Sequence, residues 1–148
     1  MNALDLRIRN HAYSTFVGEG RAPTTVETAA TLGLAEDEVA AAYRRLHDAH
    51  ALVLHAGTDK IRMLNPFSAV ETPHRVEAGG RSWFANCAWD ALGIPASLHT
   101  DGSVSSECPD CGERLELELR DGELVRGDDL LVHFVVPARR WWDDIAFT

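Results

Sequence analysis

The residues best suited to chemistry in this sequence are a cysteine and an aspartate three positions apart, Cys87 and Asp90. Cys87 directly follows Asn86, a good N-cap residue, so the sequence predicts that the cysteine lies in the first turn of a short helix. Helix N-terminal N–H groups favour the thiolate, which binds soft metals and attacks electrophiles. Asp90 would project from the same helix face and approach the sulfur. Spacing alone also fits a buried structural cysteine beside an exposed aspartate.

A second pair of thiols, Cys108 and Cys111, lies in the segment Cys-Pro-Asp-Cys-Gly. Two thiols separated by two residues in a glycine-closed turn have the spacing of half a structural zinc site. Completion of a zinc site would need histidines such as His99 or His133, or a second chain. The alternatives are a relay or redox pair and unmetallated thiols that close a turn.

The tryptophans are concentrated in the second half of the sequence, at positions 83, 89, 141 and 142. Packing in a hydrophobic core is the simplest explanation. The alternative is that Trp83, Trp89 or Trp142 covers an apolar pocket and excludes water from Cys87.

The first third of the sequence predicts three helices and a two-stranded ribbon. The helices are expected at residues 4–16, 25–32 and 36–51, and the strands at residues 51–55 and 60–64. This is a winged helix-turn-helix pattern over residues 1–65. Its third helix begins with the carboxylates of Glu36, Asp37 and Glu38, where DNA phosphates would lie, so a structural or dimerising module is favoured over DNA binding.

Residues 65–68, Asn-Pro-Phe-Ser, are expected to form a linker to a second domain over residues 66–148. Its strands are predicted at residues 74–78, 81–85, 103–107, 114–120, 131–136 and 145–147. A short helix, Cys87–Leu92, is bounded by Gly93 and Pro95 and carries the candidate active cysteine. The predicted fold class is therefore α+β: a winged-helix-like helical module followed by a small mixed or antiparallel β-sheet domain.

Composition narrows the class of protein and of partner. The chain has 148 residues, 45% of them hydrophobic, and a formal net charge of -9. Residues 66–148 hold 15 acidic against 7 basic residues, so neither nucleic acid nor anionic lipid is a favoured partner of that half, and a small ligand fits better. The sequence has no apolar run of membrane-spanning length and no signal peptide, which predicts a cytoplasmic protein. In that reducing compartment, its three cysteines are expected to be free thiols or metal ligands.

From Asn65 to Thr148 the sequence resembles the alkylmercury lyase family, and the N-terminal module is similar to the winged-helix extension that such lyases carry. Several motifs in order support the resemblance. They are Arg75-Val76, the segment from Trp83 to Pro95, the segment from Ser105 to Gly112, His133-Phe134, and the segment from Trp141 to Thr148.

The resemblance implies that the protein cleaves carbon–mercury bonds by protonolysis, giving a hydrocarbon and Hg(II), in mercury detoxification. Cys87 matches the family's first catalytic cysteine and Asp90 its aspartate, which mediates proton transfer and helps to hold the metal. The implied substrate is a small organomercurial, with small thiols as co-reactants. No cofactor is implied, and Hg(II) is the bound product.

One feature departs from the family pattern. The family's second catalytic cysteine directly follows the segment matching Asp144–Thr148, where this sequence ends, so we expect that a C-terminal portion lies outside it. The alternative function is a non-catalytic mercury or soft-metal binding or sensing protein. The sequence does not indicate an oligomeric state.

Overall fold

Three helices and a short antiparallel ribbon form the first of the two units into which the chain divides, Met1–Val70 and Glu71–Thr148. The computed structural model describes residues 1–145. In chain order, the first unit contains α1 (Ala3–Glu19), α2 (Thr25–Leu32), α3 (Glu36–Asp48), β1 (Val53–Leu54), β2 (Ile61–Leu64) and β3 (Phe67–Ser68). The three predicted helices are present, and α3 ends before the expected Ala51.

Reciprocal hydrogen bonds fix the starts of the first two helices. The Asn2 side chain accepts a bond from the Asp5 N–H at 2.8 Å, while the Asp5 carboxylate accepts one from the Asn2 N–H at 3.3 Å. Thr24 and Glu27 form the same arrangement at α2. Each capping box satisfies N–H groups that the helix itself leaves unpaired.

The core of the first unit follows the helical period of the sequence. The fully or almost fully buried residues of α3 are Val39, Ala42, Tyr43 and Leu46. Phe16 of α1 stacks on Phe67 of β3, with ring centroids 5.5 Å apart. Phe67 and Ser68 were expected in a linker, but both are buried, and β3 pairs antiparallel with β2. This segment therefore contributes to the core of the first unit.

The second unit is an antiparallel sheet with one helix. Its elements are β4 (Arg75–Ala78), β5 (Arg81–Ala85), α4 (Ala88–Leu98), β6 (Gly102–Glu107), β7 (Arg114–Arg120), β8 (Glu123–Arg126) and a 3₁₀ helix (Ala138–Asp143). The strand order is β5-β4-β6-β7-β8. The residues that alternate onto the buried face of β4, β5 and β6 are Val76, Ala78, Trp83, Ala85, Val104 and Ser106.

Helix α4 packs on β4, β5 and β6 and is longer than the sequence predicted. It runs through Gly93 and Pro95, which were expected to bound it, and ends at His99 in the left-handed conformation. A Cβ added at Gly102 would lie 2.9 Å from Cγ of Pro95. Gly102 on β6 therefore allows the close approach of Pro95, which lies buried inside α4.

The structure differs from two of the strand predictions for the second unit. Residues 131–136 were expected to be a strand but form none, and Leu131 is 95% exposed. The strand after β7 is instead β8, because Asp121 and Gly122, both at positive φ, form a two-residue turn that returns the chain onto β7. Of the strand expected at residues 145–147, Ile145 lies in a turn, and the remainder falls outside the described residues.

The α+β class and the antiparallel arrangement of the second unit agree with prediction, whereas the winged-helix assignment of the first unit stays a prediction. Within residues 1–145, no helix has the length and apolar character needed to cross a membrane.

Candidate functional site

Cys87 lies at the start of α4, two residues after β5 ends, but it occupies a different position from the one expected. Its extended backbone, with φ -150° and ψ 177°, makes Cys87 itself the N-cap, and the helix begins at Ala88. The predicted N-cap, Asn86, therefore lies one residue outside. The Cys87 carbonyl accepts the first helical bond, from the Ala91 N–H at 2.9 Å.

The environment of Cys87 favours the thiol, contrary to the expectation of a thiolate. Burial raises the pKa of the Cys87 thiol, and the charge of Asp90 also raises it. Hydrogen bonds from the backbone N–H groups of Asp90 and Trp89 lower the pKa of Cys87, but their effect is smaller than that of burial. Desolvation disfavours the charged form of a thiol, and at Cys87 it exceeds the stabilising effect of the helix N-terminus.

Asp90 lies in the first turn of α4, where its carboxyl group makes a polar contact with the Cys87 thiol. Burial raises the pKa of Asp90, and a hydrogen bond from Asn86 opposes the rise. This bond joins Asn86 Nδ2 to Asp90 Oδ2 at 3.0 Å. The structure thus brings Cys87 and Asp90 together as their spacing predicted. It adds Asn86 to the site, and the four-residue spacing between Asn86 and Asp90 could have indicated this contact from the sequence.

His74 is a neighbour of this region that sequence analysis missed. Its Nδ1 lies 2.8 Å from the Ser106 hydroxyl, and burial lowers the pKa of the imidazole. The His74 carbonyl also accepts a bond from the Ala85 N–H, two residues before Cys87. The signal was the two-residue period that places His74 on the same face of β4 as Val76.

The three tryptophans predicted to cover the site have different environments. Trp83 is 4% exposed and belongs to the core of the second unit, whereas Trp89 is 60% exposed and makes an edge-to-face contact with Phe134. Trp142 is half-buried in the 3₁₀ helix. Trp141 packs against Phe134 and donates a hydrogen bond to the Val136 carbonyl at 3.0 Å. The predicted pocket stays a prediction.

Cys108 and Cys111 occupy the turn between β6 and β7. The Cys108 N–H bonds to the Glu113 carbonyl at 2.8 Å, and the Gly112 N–H bonds to the Cys108 carbonyl at 2.9 Å. The N–H groups of Cys111 and Asp110 and the Cys111 thiol all contact the Cys108 sulfur and lower its pKa. Cys111 is exposed. The thiol with the lowered pKa is therefore Cys108 and not Cys87.

The described part of the chain contains no group of three or more His, Cys, Asp or Glu residues that could hold a metal ion. A tetrahedral zinc site needs four ligands, so zinc at Cys108 and Cys111 has no support from these residues. His99 and His133, considered as further ligands, are both exposed.

Comparison with known proteins agrees with the fold. The mercury-bound form of MerB2 has a similar structure, with a TM-score of 0.69 and 25% sequence identity; the match covers 85% of this chain and 60% of that one. The chain thus has the α+β fold of that structure and spans about three fifths of its length. The family model of alkylmercury lyase (MerB) matches residues 67–148, more than half of the chain. This protein belongs to the alkylmercury lyase family. Among curated protein sequences, none matches it significantly.

Proposed function

We propose that this chain is an organomercurial lyase that cleaves carbon–mercury bonds by protonolysis, in the detoxification of organic mercury. The observation that supports this most directly is the polar contact between the Cys87 thiol and the Asp90 carboxyl group at the start of α4. A soft sulfur suits a soft metal, and an adjacent acid suits proton delivery to carbon. Membership of the alkylmercury lyase family agrees with this assignment.

The first step is capture of the organomercurial, which arrives as its adduct with a small thiol. Burial raises the pKa of both Cys87 and Asp90, so the pair retains a proton at neutral pH. The Cys87 sulfur forms a bond to mercury while the bond from mercury to the small thiolate breaks. The Cys87 proton passes to the Asp90 carboxylate, so the partly buried pair gains no additional negative charge.

The second step is cleavage. The carbon bound to mercury takes the proton of the Asp90 carboxyl group, and the electron pair of the carbon–mercury bond becomes the new carbon–hydrogen bond. The hydrocarbon leaves, and the Asp90 carboxylate binds the Hg(II) that remains on Cys87. Mercury stays in the same oxidation state throughout, so no redox cofactor takes part.

Asn86 acts in this scheme as a positioning residue. Its amide donates to Oδ2 of Asp90 and so holds the carboxyl group in one orientation beside Cys87. An acid held in one orientation transfers its proton more efficiently than a freely rotating one.

The test is to incubate the protein with methylmercury and an excess of a small monothiol and to measure methane by gas chromatography. We expect methane from the parent protein and none above background from Cys87→Ser, because a serine oxygen is a poor ligand for mercury. Asp90→Asn should bind methylmercury but release methane about 10²–10⁴-fold more slowly. The matched control is Asp121→Asn in the exposed β7–β8 turn, which should behave as the parent.

Methane release that persists in Cys87→Ser would exclude this assignment of the site. Stoichiometric mercury binding by the parent protein without any hydrocarbon would exclude lyase activity and favour a mercury-binding protein. Circular dichroism of each variant separates a loss of chemistry from a loss of fold.

A further inference from the structure

The sheet places Cys87 and Cys108 at the same end of the second unit. Strands β5 and β6 both pair with β4, one on each side, and Arg75 is opposite Phe84 on β5 and Ser105 on β6. The chain therefore leaves both strands at the same level. Cys87 comes three residues after Phe84, and Cys108 comes three residues after Ser105. Neighbouring strands lie about 4.8 Å apart, so β5 and β6, with β4 between them, are separated by about 10 Å.

The turn that carries Cys108 is built to present two sulfurs together. Backbone bonds at both ends of the turn fix it, and Gly112 adopts a left-handed conformation with φ 72°. Two backbone N–H groups and the Cys111 thiol contact the Cys108 sulfur. Cys111 is exposed and Cys108 is partly exposed, so the pair is open to solvent.

We propose that Cys108 and Cys111 form a second site for a soft, thiophilic cation and that this site accepts Hg(II) from Cys87. The transfer rests on the proposed lyase function, whereas the metal site itself does not. Two thiolates satisfy Hg(II), while zinc needs ligands that the described residues do not supply. The transfer would clear Cys87 for another substrate and move the product to an exposed dithiol.

The transfer is an exchange of ligands without oxidation or reduction. The Cys108 thiolate forms one bond to mercury, and the Cys111 sulfur forms the second as its thiol loses a proton. The bonds from mercury to Cys87 and Asp90 break, and the Cys87 sulfur takes up the proton that Cys111 released. Charge and protons therefore balance within the chain.

The first experiment tests the metal site without any carbon–mercury cleavage. One equivalent of inorganic Hg(II) is added to Cys87→Ser in an excess of a small monothiol, and the mercury retained by the protein is measured after gel filtration. We expect about one mercury per chain. Cys87→Ser/Cys111→Ser should bind about 10²-fold more weakly, because the second thiol of the pair is no longer tethered beside the first. Cys87→Ser/Ser103→Ala, changed at an exposed position of β6, is the control.

Equal retention by the Cys87→Ser and Cys87→Ser/Cys111→Ser proteins would overturn the metal site. A readout that needs no variant is alkylation of the parent protein with iodoacetamide after addition of two equivalents of Hg(II). Cys108 and Cys111 should both be protected, as measured by peptide mass spectrometry, and rapid alkylation of both would also overturn the site.

The second experiment tests the transfer. After a single turnover with one equivalent of methylmercury, mercury should be found on Cys108 and Cys111, and Cys87 should again react with iodoacetamide. Mercury that stays on Cys87 in this experiment would exclude the transfer. Absence of methane together with normal retention of Hg(II) by Cys87→Ser would instead contradict the lyase function and leave the metal site standing.

Discussion

Burial and hydrogen bonding, rather than position in a helix, determine the direction in which the pKa values of Cys87 and Cys108 are shifted. Cys87 lies at a helix N-terminus, yet burial raises its pKa, whereas Cys108 lies in a turn and has a lowered pKa because backbone N–H groups contact its sulfur. For Cys87 this suits the proposed chemistry, since the thiol proton is retained until mercury displaces it. For Cys108 it favours metal binding from solvent.

Thiol reactivity tests this contrast. We expect the rate of alkylation of Cys108 to reach half its maximum below the ordinary thiol pKa of about 8.5, and that of Cys87 to do so above it, because the thiolate is the nucleophile. The measurement is the rate of iodoacetamide modification at each cysteine against pH, by peptide mass spectrometry. Asp90→Asn removes the charge that raises the Cys87 pKa, so its midpoint should move down. A Cys87 midpoint below that of an unstructured cysteine peptide would contradict this assignment.

Among the elements of the first unit, α1 and α3 are joined by an ion pair that also completes a helix cap. Arg45 Nη2 on α3 lies 2.6 Å from Oδ1 of Asp5, whose side chain is 4% exposed. This hydrogen bond is the main cause that lowers the pKa of Asp5. Because the folded-state pKa is depressed, the pair contributes stability above the unfolded pKa of about 3.9, and the contribution is lost as the pH falls through the folded value.

Arg45→Ala should therefore lower the free energy of unfolding by about 1–2 kcal/mol at pH 7, because it leaves a buried carboxylate without its cationic partner. The effect should shrink as the pH is lowered below about 3.9. Urea denaturation at several pH values provides the measurement. Arg44→Ala is the matched control, since Arg44 and Asp59 form a more exposed ion pair that is screened by solvent, and we expect a smaller loss than in Arg45→Ala. An equal loss in both variants at pH 7 would contradict the assigned role of Asp5.

In the second unit, the close contact between α4 and β6 depends on the absence of a side chain at Gly102. A Cβ at Gly102 would lie 2.9 Å from Pro95 Cγ and 3.0 Å from the Glu77 carbonyl oxygen. Neither the proline ring nor the β4 backbone can move freely, so space and not backbone conformation requires glycine here.

Gly102→Ala should destabilise the second unit by about 1–3 kcal/mol through overpacking. Thermal unfolding followed by circular dichroism measures the loss, with Ser103→Ala at the next, exposed position as the control. An unchanged unfolding temperature in Gly102→Ala would show that α4 and β6 leave room for a methyl group at this position.

At the scale of the whole molecule, charge limits the choice of partner. The net charge is -9, and the first turn of α3 carries three exposed carboxylates, Glu36, Asp37 and Glu38. In a DNA-binding module of the winged-helix type, this helix would face the phosphates.

We therefore expect no shift of duplex DNA in a gel assay at low salt, the condition that most favours binding through phosphates. A basic DNA-binding protein run in parallel verifies that the assay detects binding. A salt-dependent shift with this chain would show that the first unit binds DNA despite its carboxylates.

The sequence by itself determined the features that depend on local pattern. The apolar period of α3 and the short segments between glycine turns were sufficient to predict that helix and the strands β4 to β7, and the spacing of Cys87 and Asp90 predicted their approach. Each of these depends on residues within a few positions of one another. The motifs in order indicated the family because they combine many such local constraints.

Only the tertiary structure decided the features that depend on neighbours distant in sequence. Pro95 is accommodated within α4 because Gly102 leaves room for it, and His74 meets Ser106 only through pairing of β4 with β6. The raised pKa of Cys87 belongs to the same class, because the neighbours that partly bury its thiol come from the assembled fold and not from the local spacing. Burial is a property of the assembled fold, and it raises the pKa of Cys87 where the local sequence predicted a thiolate.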